Sequence, residues 1–114
     1  MATYGVGILQ RVDIGPEIVE YLERIDATLT PYDGHFIVHG GAPTMLEGAN
    51  PGALIVIEFP DRAHADAWYR SAAYQEIVHL RAEHADSTIF IIDGVGRDHR
   101  ATDVLPAELR PSAV

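Results

Sequence analysis

The sequence predicts an α+β fold built in the order β-α-β-β-α-β, and three observations carry that expectation. Four β-rich runs, 4–11, 35–40, 53–59 and 88–93, are bounded by glycine, proline or aspartate. Helical periodicity replaces strand character between the first and second runs, and again between the third and fourth. The third run is apolar on both of its faces, as a central strand covered on two sides requires.

Each element follows from its residues. YGVGILQR (4–11) is β-rich and closes at Asp13 and the Gly15-Pro16 turn. From Pro16, Ile18, Leu22, Ile25 and Leu29 recur at helical spacing, and Glu17, Glu20 and Glu23 occupy the early turns, where a helix dipole favours acids. Pro31 ends that helix, Asp33-Gly34 makes a turn, and HFIVHG (35–40) forms a short strand. Gly40, Gly41, Pro43, Gly48, Pro51 and Gly52 then mark a loop of about a dozen residues, a length typical of functional or Ω-type loops. After the strand ALIVIEF (53–59), Asp61 is a suitable N-cap for a helix over 62–70, and Ser71 for a second helix from Ala72 to about Ala85. TIFIID (88–93) is the last strand, ended by Gly94.

This order is the ferredoxin-like, or split βαβ, arrangement: one domain over residues 1–96 with helices on one face of an antiparallel sheet. The 97–114 segment is polar with two prolines and is expected to be loose or to lie across a partner subunit. Ile55, Ile57 and Phe59 alternate with Leu54, Val56 and Glu58, so the face away from the helices is also largely apolar and needs a cover. A second copy of the same sheet is the economical cover, which predicts a homodimer of the dimeric α+β-barrel type.

Composition narrows the function. The chain has 114 residues, no cysteine, and 17 acids against eight arginines with no lysine, giving a net charge of −9. Thiolate chemistry and lysine Schiff bases are excluded, and a scattered arginine set in an acidic chain argues against nucleic acid. Neither a signal peptide nor a membrane-length apolar run is evident, so the expected setting is cytoplasmic. No P-loop, dinucleotide fingerprint or nucleophile elbow is present, and no organic cofactor is expected.

The motifs GGAPTMLEG (40–48), IEFPD (57–61) and WYRSAAYQ (68–75), followed by Arg81, resemble the domain of unknown function 1330 family over about residues 3–95. That resemblance implies the dimeric α+β-barrel fold, whose members include cofactor-free monooxygenases, muconolactone-isomerase-like enzymes and haem binders. Two departures stand out. Ala72 replaces the proline that usually follows the serine, and His35 and His39 replace arginines.

Candidate chemistry concentrates in a few residues. His35 and His39 are four apart on a strand and so share a face in regular pleating, roughly 13 Å apart and too distant to bind one metal together. His39, beside the Gly-Gly loop, is the candidate general acid or base. Tyr74, Ile77, Val78 and Arg81 share one helical face, which turns a cation toward apolar surroundings. Arg81 there is either an ion pair with Glu58 or Glu47, or a clamp for an anion or carbonyl with Tyr74 beside it. Trp68 is expected in the core and Tyr69 at a rim, while Glu47 in the long loop is a candidate acid. His79 and Glu83 read as a solvated helix face. The reading these residues support is a small-molecule protein working by proton transfer, cyclisation or isomerisation, or cofactor-independent oxygenation. A non-catalytic ligand-binding module and a haem protein with an axial histidine are the alternatives.

Overall fold

The structure, a computed structural model, describes residues 1–111. Four antiparallel strands lie in the order β2-β3-β1-β4: β1 is Thr3–Val12, β2 His35–His39, β3 Ala53–Phe59 and β4 Ala85–Asp93. The helices α1 (Pro16–Leu29), α2 (Arg62–Arg70) and α3 (Ala72–Ala82) all pack on one face. This is the expected ferredoxin-like fold.

Local chemistry sets the helix ends. Pro16 opens α1 with a ring already fixed in helical φ. Asp61 caps α2 by accepting the His64 backbone N–H at 2.9 Å. Ser71 serves two helices: its hydroxyl donates to the Trp68 carbonyl at 2.7 Å and accepts the Tyr74 N–H at 3.2 Å, closing α2 and opening α3. The α2–α3 break therefore persists with Ala72 in place of proline.

Two boundaries differ from expectation. Helix α3 stops at Ala82, and β4 begins three residues before Thr88. The Asp13 N–H donates to the His84 carbonyl at 2.8 Å, and Val12 and Arg11 pair with Ala85 and Asp86, so strand pairing with β1 overrides helical periodicity. On α1 the buried stripe is Ile18, Tyr21, Ile25, Thr28 and Leu29, whereas Leu22 stays 47% exposed. Ile18, Ile25 and Leu29 face inward as expected, and the buried stripe extends toward Tyr21 and Thr28 rather than Leu22.

The core lies between helices and sheet, around Phe59, Ile57, Ile77, Leu29, Trp68 and Tyr74. The opposite sheet face is open. Val6 pairs with Val56 and Phe90, Ile8 with Leu54, and Tyr4 with Ile92, which aligns these side chains on that face. Leu54, Phe90 and Ile92 are 40%, 40% and 51% exposed. Beyond β4, the described part of the tail forms two 3₁₀ turns, Ala101–Val104 and Ala107–Leu109. Arg110 donates to the carbonyls of Leu105 and Asp103, both at 2.8 Å, so the tail is folded on itself with nearly all its residues exposed. The expectation for the tail also covers residues 112–114, which lie outside the described residues.

Candidate functional site

A cavity of about 270 Å³ lies between the helices and the sheet. Its floor owes its depth to Gly5 and Gly7 of β1, whose missing side chains would project toward the helices. Gly5 pairs with Ile57 and Ile91, and Gly7 with Ile55 and Ile89, so a bare backbone strip runs between two ridges of isoleucine. A β-carbon at Gly5 would sit 3.5 Å from the Phe59 ring and 4.0 Å from the Trp68 indole. The GVG triplet of β1 opens the trough.

Aromatic side chains of α2 and α3 form one wall. Trp68 and Tyr74 have ring centroids 4.2 Å apart, Tyr69 and Tyr74 5.5 Å, and all three line the cavity. The Trp68 Nε1–H donates to Thr28 Oγ1 at 3.0 Å, and that hydroxyl donates to the Ile25 carbonyl at 2.7 Å. The indole is thereby pinned to α1 and, at 4% exposure, belongs to core and cavity alike. Tyr69 is half-buried at the edge of the same wall.

The polar end of the cavity is built from α1 and α3. Tyr21 Oη and Tyr74 Oη are 2.7 Å apart, and the Arg81 guanidinium lies 5.9 Å from the Tyr21 ring centroid. Arg81 is 7% exposed; its Nη1 donates to Ser87 Oγ at 2.7 Å, and its Nε is buried without a hydrogen-bond partner. The anticipated ion pair with Glu58 or Glu47 does not form, because those carboxylates lie elsewhere. Glu58 projects from the open face of β3 toward His35, at 3.3 Å, and Glu47 is exposed in the 40–52 loop. No described carboxylate lies within ion-pair distance of Arg81.

Burial pushes the Tyr21 hydroxyl well above the ordinary tyrosine range, and the neighbouring Tyr74 reinforces the shift against the opposing pull of Arg81. Tyr21 therefore remains a neutral hydrogen-bond donor and acceptor in neutral solution. Burial opposes the charge on Arg81, and the oxygens of Tyr74 and Tyr21 act in the other direction. The site keeps a permanent cation against an apolar trough.

The two strand histidines part company. The β2–β3 register shifts between Phe36 and Val38: His35 pairs with Glu58 and Phe36 with Ile57, but His39 pairs with Ile55. The extra residue in β2 reverses the alternation beyond it. His39 consequently faces the helix side, where its ring stacks on Phe36 with centroids 4.4 Å apart at the cavity mouth, and His35 faces the open side. The expectation of a shared face is corrected by this bulge. Thus His39, Trp68, Tyr69, Tyr74 and Arg81 are brought to one cavity; His35 and Glu47 are not among its lining residues.

Tyr21, Gly5 and Gly7 escaped the sequence reading. Tyr21 is three residues after Ile18 and four before Ile25, which marks it as facing inward, but its pairing with Tyr74 across 53 residues of chain has no local signature. Among the described residues no three histidine or carboxylate side chains cluster in a metal-binding arrangement. None of the described helices is long and apolar enough to cross a membrane.

Several solved structures share this fold. A protein of unknown function from Rhodopseudomonas palustris is 16% identical with a TM-score of 0.63, the match covering 83% of each chain. A dimeric ferredoxin-like protein of unknown function from Jannaschia sp. CCS1 is 15% identical with a TM-score of 0.63, over 82% of this chain and 100% of that one. HapK from Hahella chejuensis is 18% identical with a TM-score of 0.55, over 89% and 99%. At these identities the likeness is one of fold. No curated protein matches the chain. The family model for the domain of unknown function 1330 matches residues 2–95, and the chain belongs to that family.

Proposed function

We propose that this protein binds a small aromatic or carbonyl-bearing metabolite in the trough between its helices and sheet. It transforms that metabolite without an organic cofactor, by proton transfer, cyclisation or isomerisation, or oxygenation of an activated substrate. The observation that carries the reading is a buried cation, Arg81, facing an apolar cavity together with the Tyr21–Tyr74 hydroxyl pair. Apolar pockets with a few convergent polar groups are the usual form of small-ligand sites. At about 270 Å³ the cavity falls just under the roughly 300–1,000 Å³ typical of drug-sized ligands, which suits a one-ring body.

The geometry supports the following roles. Arg81 and the tyrosine hydroxyls hold and polarise an oxygen of the ligand, and the wall formed by Trp68 and Tyr69 packs against its apolar part. His39, at the more open mouth, exchanges protons with solvent and ligand. The open sheet face supports assembly as a homodimer through Val6, Leu54, Val56, Phe90 and Ile92, in keeping with the dimeric description of the Jannaschia protein.

Mass spectrometry of small molecules released on denaturing the purified protein tests the proposal. A one-ring aromatic or carbonyl compound recovered at near-stoichiometric amounts is the expected result. If nothing is released, and no compound of a metabolite panel alters Trp68 fluorescence, the reading is wrong. Turnover of the released compound by fresh protein then distinguishes an enzyme from a sequestering module.

A further inference from the structure

We infer that the ligand carries a single carboxylate, which neutralises Arg81 at the polar end of the trough. The inference rests on the small-ligand reading above and specifies the chemical class. Arg81 is a permanent cation at 7% exposure, and among the described residues it has no carboxylate partner and its Nε no hydrogen-bond acceptor. Buried charges in stable structures are paired, so a cation left bare toward a cavity marks the place of an anion that comes from outside. Nη1 is occupied by Ser87 Oγ and Nε is fully buried, so a ligand carboxylate meets the part of the guanidinium that lines the cavity. The paired N–H groups of a guanidinium edge match the two oxygens of a carboxylate. Tyr21 adds a hydroxyl whose proton burial retains, and it is hydrogen-bonded to the Tyr74 hydroxyl beside it.

A phosphate suits the place poorly. Its charge approaches two at neutral pH, against one cation. Arg81 lies in the last turn of α3, where the helix dipole is negative and no backbone N–H groups point outward to receive further anionic oxygens. The chain as a whole is also strongly acidic, at −9. One carboxylate balances the site; a dianion leaves a charge unpaired beside apolar walls.

Trp68 is the chain's one tryptophan and lines the cavity, so its fluorescence reports occupancy directly. The full chain is titrated at pH 7.5 with 3-phenylpropanoate, 3-phenylpropanamide and phenyl phosphate, and the titrations are repeated with Arg81→Met and Tyr21→Phe. The acid is expected to bind at least tenfold more tightly than the amide or the phosphate, and Arg81→Met to reduce the acid–amide difference to less than twofold. Equal binding of acid and amide by the unaltered protein overturns the carboxylate assignment while leaving the small-ligand reading in place. So does tighter binding of phenyl phosphate. Because that comparison uses no variant, it stands even if Arg81→Met fails to fold. Absence of any response to all three compounds at millimolar concentration overturns the carboxylate inference, whereas loss of the small-ligand reading requires the wider metabolite panel to fail as well.

Discussion

Tyr21 of α1 and Tyr74 of α3 join their hydroxyls at 2.7 Å, 53 residues apart in the chain, with both side chains buried. The contact ties the first helix to the last at the polar end of the cavity. It also sets a constraint on pH. Burial holds the Tyr21 hydroxyl protonated in the folded state far above the ordinary tyrosine range, whereas the unfolded chain ionises near pH 10. A raised folded value means that this stabilisation is complete below about pH 10 and is lost as pH rises above it. Urea midpoints measured from pH 7 to 11 are expected to decline above pH 10, and the decline to be shallower in Tyr21→Phe. Identical slopes in the two proteins would contradict the assignment.

Arg81 leads to a second expectation. A buried cation without a counter-charge destabilises the empty protein, and a methionine of similar length removes that cost while keeping the apolar stem. Arg81→Met is expected to raise the unfolding free energy of the ligand-free protein by on the order of 1 kcal/mol, read from urea denaturation. Functional sites commonly oppose stability in this way. A fall of comparable size would identify Arg81 as a structural residue held by Ser87 and the tyrosines.

The open sheet face is tested by charge. Phe90 and Ile92 belong to the edge strand β4 and are 40% and 51% exposed, on a face otherwise formed by Val6, Ile8, Leu54 and Val56. Contiguous apolar surface of this kind is uncommon on monomers. Light scattering after size exclusion is expected to give twice the 12.5 kDa chain mass for the unaltered protein and a single chain mass for Ile92→Glu. A monomeric unaltered protein removes the case for a sheet-to-sheet dimer.

The element order was legible because turn residues and changes of period mark each boundary, and Asp61 and Ser71 are capping residues in plain view. The site was legible only where it coincides with one helical face, as with Tyr74 and Arg81. What was hidden depends on register and long-range pairing. The bulge in β2 between Phe36 and Val38 moves His39 to the face opposite His35, and no residue type in HFIVH announces it. Strand β4 starts at Ala85 only because β1 is there to pair with it. Acids are the usual companions of arginine, but β-strand alternation puts Glu58 on the open side, away from Arg81.

Glycines divide by role, and substitution separates them. At Gly5 an added methyl meets only ordinary contacts, 3.5 Å from Phe59 and 4.0 Å from Ile57 and Trp68. Gly5→Ala fills part of the trough and restricts the unfolded chain, so stability is expected to be unchanged or higher by about 0.5 kcal/mol. Ligand response through Trp68 is expected to weaken. Gly52 differs: its φ is +129°, and a β-carbon would lie 2.6 Å from the Leu9 carbonyl oxygen, a backbone atom that cannot swing aside. Gly52→Ala is expected to cost about 1–3 kcal/mol through strain where the long loop enters β3. Thermal melts of the two variants beside the unaltered protein check both outcomes. A large loss at Gly5 with none at Gly52 would mean that the trough is closed in solution and the loop entry relaxed.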